Sequence, residues 1–111
     1  MVLAAACGIA PRERKAPVEP LAAGLDALVA GETDQAAKVF VEAGRRYPAL
    51  ADYALYFRAR AAMRAGRRRE TLELGRELIA RHPDSIWVGP AALLIGEGLR
   101  ATGDQIGRAH V

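Results

Sequence analysis

From residue 20 onward the apolar positions fall in a helical rhythm rather than an alternating one. Leu21, Leu25, Leu28 and Val29 form one stripe at three-four spacing, and Ala36, Val39, Phe40 and Ala43 form a second. Tyr53, Leu55, Tyr56, Phe57 and Met63 make a third, Leu72, Leu74, Leu78 and Ile79 a fourth, and Leu93, Leu94, Ile95 and Leu99 a fifth. Gly31, Pro48, Gly66, Pro83 and Gly103 punctuate them. The pattern predicts five helices. The first runs roughly over 18–30, with Pro20 tolerated in its opening turn, and Gly31 closes it in a left-handed conformation. Thr33 or Asp34 is expected to cap the second, which reaches to about Arg46. The third and fourth form a hairpin within Ala51–Pro83 about Gly66. The fifth starts at Val88 or Pro90 and ends at Thr102.

The punctuation repeats. Gly31 to Gly66, Pro48 to Pro83 and Gly24 to Ala59 are each 35 residues apart, and Gly66 to Gly103 is 37. Gly24, Ala59 and Gly96 each stand seven residues before a turn glycine. A small residue there lets paired helices approach closely, and the glycine allows a tight reversal. This period resembles the tetratricopeptide repeat, a helix-turn-helix unit of about 34 residues. Gly24, Gly31, Ala36, Phe40, Ala43 and Pro48 follow its signature order. The second unit keeps Ala59, Gly66 and Pro83 but has Thr71, Gly75 and Leu78 where alanine, a large aromatic and alanine are usual. The expected fold class is therefore all-α, with tetratricopeptide-like antiparallel helix-hairpin repeats. About two and a half units would form a right-handed superhelical solenoid. The fifth helix has no partner within the chain, so its amides over 90–102 are expected to exchange readily.

The flanks differ in character. Residues 1–7, MVLAAAC, resemble the end of a bacterial lipoprotein signal, in which Cys7 is the lipidated residue. Ala4 replaces the usual leucine, and a basic start and full apolar segment are missing. An Ala-rich start with a free cysteine is the alternative. Residues 8–19 are a linker carrying Pro11, Pro17 and, just beyond, Pro20, which favour extended chain. Its Arg12, Arg14 and Lys15 suit anionic lipid or plain solvation. Residues 20–104 hold the repeats. Residues 105–111 end in IGRAHV, which resembles the translation of a common short-read sequencing adapter terminated by its own stop codon. On that reading the native protein continues beyond Asp104, and Arg108 and His110 carry no function.

Composition adds little to this picture. Hydrophobic residues make up 51% and charged residues 26% of the 111, and aromatics only 5%, which favours helix over sheet. The net charge of +3 falls to +2 without Arg108. One cysteine excludes an internal disulfide, and no apolar run spans a bilayer. Arg58, Arg60, Arg64, Arg67, Arg68 and Arg69 are dense enough to raise the question of an anionic partner. The absence of interleaved aromatics argues for a solvated face, with no nucleic acid as partner. Glu70, Glu73 and Glu77 follow closely, so that Arg69–Glu73 and Glu77–Arg81 can pair.

His82, at a helix end, lacks a second native histidine, so no metal site is expected. The carboxylates lie scattered at exposed helical positions, with no apolar setting to raise a pKa for acid catalysis. Gly96-Glu97-Gly98 sits within a helix rather than in a phosphate loop. No catalytic residue and no cofactor are assigned, and Trp87 is expected to pack in the loop before the fifth helix.

The wording LADYALYFRARAAMRAGR followed by RHPDSIWVGPAALLIGEGLRATGD resembles the N-terminal superhelical region of soluble lytic murein transglycosylases. The likeness covers about residues 20–104. It implies a cell-envelope protein whose missing C-terminal lysozyme-like domain cleaves peptidoglycan glycan strands without water, using a glutamate absent here. The array would then hold glycan strands or a protein partner, in the periplasm, with possible outer-membrane attachment through Cys7. A stand-alone tetratricopeptide lipoprotein that recruits envelope proteins is the alternative, and a cytoplasmic adaptor follows if Cys7 is incidental. In tetratricopeptide-like arrays the first helix of each unit lines the concave surface. That implies Tyr53, Tyr56, Arg60, Arg64, Glu97 and Arg100 as the binding surface here.

Overall fold

The computed structural model describes the backbone of residues 18–110 and the side chains of residues 19–100. Among these residues the chain is all helical. Helix α1 spans Val18–Val29, α2 Thr33–Arg46, α3 Ala51–Arg64, α4 Arg68–Arg81 and α5 Val88–His110, with a short 3-10 turn at Pro48–Leu50. Each helix packs on the next, and α1, α3 and α5 also touch in succession, whereas α2 and α4 do not meet. The odd-numbered helices therefore share one side of the molecule. No described helix is long and apolar enough to cross a membrane. Cys7, the stretch 1–7 and the linker up to Pro17 lie outside the described residues.

Two reversals are built identically. Gly31 has φ +84° and Gly66 has φ +80°, a region open to glycine and costly for residues with a Cβ. The Gly31 amide donates to the Leu28 carbonyl at 3.1 Å and the Glu32 amide to Ala27 at 2.9 Å. Thirty-five residues on, the Gly66 amide donates to Met63 at 3.0 Å and the Arg67 amide to Ala62 at 2.8 Å. Both are Schellman motifs, in which crossed bonds satisfy the last carbonyls of a helix. The motif leaves only three residues, 30–32, between the helices, so α2 begins at Thr33 with Glu32 as its cap. Neither Thr33 nor Asp34 caps it, and the Glu32 side chain makes no capping bond. Asp34 instead sits in the first turn, where it pairs with Arg67 at 2.8 Å.

The other ends behave differently. Pro48 opens the 3-10 turn after α2 rather than only ending the helix. Pro83 follows His82, the cap residue of α4, whose amide donates to Leu78 at 2.8 Å. Gly103 is not a turn: α5 continues through it to His110. At Gly31 and Gly66 a following helix packs back on its predecessor. No described element follows α5, so the helix propagates through Gly103 at a cost of only about 1 kcal/mol.

The core comes in two clusters. Ala27, Leu28, Ala36, Phe40, Ala54 and Ala61 form one, and Leu55, Tyr56, Ala59, Leu74, Leu78, Ala91 and Leu94 the other, with Phe57 packed against both. Ala43 is buried as expected. Thr71 is fully buried too, and its hydroxyl donates to the Arg67 carbonyl at 2.9 Å, so a polar residue replaces alanine without an orphaned group.

Four expectations of burial fail. Val29 is 76% and Leu93 66% exposed, and Leu25 and Leu99 also face outward. Leu28 and Val29, like Leu93 and Leu94, are consecutive and so about 100° apart round the helix, too far for both to meet one neighbour. Gly96 is open rather than a close-approach point, whereas Gly98 lies against Leu72.

Candidate functional site

The side shared by the odd-numbered helices is hollowed into a groove of about 820 Å³. Leu28 closes it at the α1 end, and Tyr56, Arg60, Met63 and Arg64 form the α3 wall. Gly89, Pro90, Leu93, Leu94 and Glu97 form the α5 wall. Residues four apart on one helix share a face, which is why 56, 60 and 64 line up on α3, and 89, 93 and 97 on α5. The floor is apolar, and the charged groups stand on opposite walls.

Four of the six residues implied for the binding surface meet here: Tyr56, Arg60, Arg64 and Glu97. Arg60 Nη1 donates to the Tyr56 hydroxyl at 3.2 Å, and the guanidinium lies 5.9 Å from that ring's centroid. Arg64 Nη2 donates to the Val29 carbonyl at 3.4 Å. That carbonyl is in the last turn of α1, where a helix carries partial negative charge. Arg100 is exposed but does not line the groove.

Tyr53 is diverted into packing. Its ring meets Trp87 edge-on at 5.2 Å, as Phe57 does at 5.2 Å, while Tyr56 stacks on Trp87 at 4.7 Å. Trp87 thus packs in the loop before α5, as its sequence position implied, and it anchors α5 to α3. Its amide donates to Ser85 Oγ at 3.0 Å, and Ser85 in turn donates to the Asp52 carboxylate in the first turn of α3. The indole Nε1 is buried with no hydrogen-bond partner among the described residues.

No protein family matches this chain, and neither does any curated protein or solved structure. The site must be read from its own chemistry.

The arginine-rich segment does not form one patch. Arg60 and Arg64 enter the groove, while Arg67 pairs with Asp34. Arg58 faces a second hollow with Arg45, Glu77 and Arg81, away from the groove. Of the two pairs expected along α4, Glu77–Arg81 forms at 2.9 Å, and Arg69–Glu73 does not among the described residues. On α2, Arg45 holds Glu42 at 2.7 Å, and that hydrogen bond keeps the Glu42 carboxyl below its ordinary value. Among the described residues no cluster of His, Cys, Asp and Glu is arranged to hold a metal.

Sequence reasoning missed Leu28, Met63 and Leu93 as groove residues because each also fits an apolar helix stripe. The adjacent leucines 93 and 94 were the available signal, since one of them had to lie off the core.

Proposed function

We propose that this chain is a helical-repeat interaction scaffold of the bacterial cell envelope. Its helix pairs are tetratricopeptide-like units of a right-handed superhelix, forming the N-terminal part of a peptidoglycan lytic transglycosylase active in cell-wall turnover. The observation that carries the scaffold reading is the groove built jointly by α1, α3 and α5, with charged walls over an apolar floor. Concave sites of this make-up, set between helices, are where ligands are commonly held. The identical reversals at Gly31 and Gly66, 35 residues apart, support the repeat. The transglycosylase assignment rests on the wording of residues 20–104, and membrane attachment rests on Cys7.

The test is the source gene beyond the codon for Asp104. A lysozyme-like domain there, and release of glycan fragments from purified cell walls by the full-length protein, would support the transglycosylase. A stop after one or two further repeats selects the stand-alone tetratricopeptide lipoprotein instead. Palmitate incorporation that persists in Cys7→Ser excludes the lipid anchor.

A further inference from the structure

The groove's two arginines make their hydrogen bonds without a carboxylate. Arg45, Arg67 and Arg81 each hold an acidic side chain at 2.7–2.9 Å. Arg60 and Arg64, one turn apart on α3, contact only neutral oxygens, the Tyr56 hydroxyl and the Val29 carbonyl. Neither has an ion-pair partner among the described residues, and both are exposed. Beside them lie Met63 and the exposed Leu93. The wall therefore offers two guanidinium forks next to an open apolar surface. Arginine binds carboxylates well because its planar fork matches their geometry.

We propose that the groove docks a segment of another protein in which an acidic side chain adjoins an apolar one. The carboxylate sits on Arg60 and Arg64, and the apolar side chain sits on Leu93 and Met63. This rests on the scaffold reading above and narrows its partner to a peptide. A glycan strand suits the groove less. Sugar rings present apolar C–H faces that stack on open aromatic faces, and here the rings are spent on one another. Tyr56, the one aromatic residue in the groove, is stacked on Trp87 at 4.7 Å and is only 7% exposed. A uniformly anionic polymer is also disfavoured, because Glu97 on the opposite wall repels it.

The experiment titrates the whole 111-residue chain with fluorescein-labelled octapeptides and reads anisotropy. GSLEELGS is expected to bind at least tenfold tighter than neutral GSLQQLGS and than GSSEESGS, which lacks the apolar residues. Arg60→Ala with Arg64→Ala should lose at least tenfold for GSLEELGS, while Arg69→Ala, outside the groove, should not change it. Arg60→Glu with Arg64→Glu should transfer the preference to GSLKKLGS, a gain of binding that an unfolded variant would not give.

Equal binding of GSLQQLGS and GSLEELGS, or groove variants that behave like Arg69→Ala, would overturn the acidic-peptide assignment. Binding of chitohexaose at the Leu93 and Met63 methyl signals, without peptide preference, would overturn the peptide but leave the scaffold standing. Concentration-dependent dimerisation that shifts those same signals would replace the partner by a second copy. If no probe moves those signals, the groove fails as the scaffold's site as well.

Discussion

In the α1–α2 pair the space over Gly24 is filled from within by Phe40, whose ring would lie 2.6 Å from an added Cβ. In the α3–α4 pair the position 35 residues after Phe40 is Gly75, an opening that Ile95 of α5 enters, 2.9 Å from an added Cβ. A knob meets a hole in both cases, but the knob has moved from the pair's own second helix to the following helix. The first pair thus fills the space over its glycine from its own second helix, while the second leaves its opening to α5. The volume that Phe40 supplies in the first pair is therefore supplied by Ile95 at Gly75. Close packing must be met somewhere, and it does not prescribe which helix meets it.

The largest expected effect tests the knob that stays within its own pair. Phe40→Ala should lower stability by about 3–5 kcal/mol, the usual range for removing a buried phenylalanine, as measured by urea denaturation. A loss under about 1 kcal/mol would mean that Phe57, stacked on Phe40 at 5.5 Å, refills the space. Next comes Gly24→Ala. Its methyl collides with an aromatic ring, so overpacking of about 1–3 kcal/mol should outweigh the gain in helix propensity. Gly31→Ala and Gly66→Ala should each cost about 1–2 kcal/mol, because both force a Cβ into left-handed backbone. Clearly unequal costs in thermal melts would break the equivalence of the two reversals.

Gly75→Ala should be milder, with a sign that depends on α5. Against Ile95 it destabilises. In an Ile95→Ala background it should stabilise by about 1 kcal/mol, the ordinary helix preference for alanine, and a double-mutant cycle checks this. The smallest effect is that of Glu42→Gln. Arg45 lowers the Glu42 carboxyl in the folded chain. Its contribution is therefore present above the unfolded carboxylate value and is lost as pH falls through the lowered one. The melting temperatures of variant and parent should converge in acid, and a gap that widened there would contradict the assignment.

Much of this architecture was legible in the residues. Gly31 and Gly66 announced their reversals because few residues other than glycine accept that backbone. Ala36, Phe40, Ala43 and Ala59 announced the core through spacing. The groove was half legible: Arg60, Arg64 and Glu97 followed from the resemblance, but Tyr53 was lost to Trp87, whose ring contacts cross 30 residues or more of chain. The Ser85–Asp52 bond was equally hidden, since two small polar residues 33 apart carry no periodic signal. Gly96 and Gly103 misled because period alone cannot say whether a neighbouring helix is there to be approached.

Trp87 has a consequence for measurement. It is the single tryptophan of the chain, and its aromatic partners among the described residues, Tyr53, Tyr56 and Phe57, are all on α3. Its fluorescence is thus an optical gauge of the α3–α5 junction and senses α2 only through Phe57, whereas far-ultraviolet ellipticity registers every helix. A single midpoint from both signals would mean that Phe57, shared by the two core clusters, binds them into one cooperative unit. Two midpoints would date the release of each end separately.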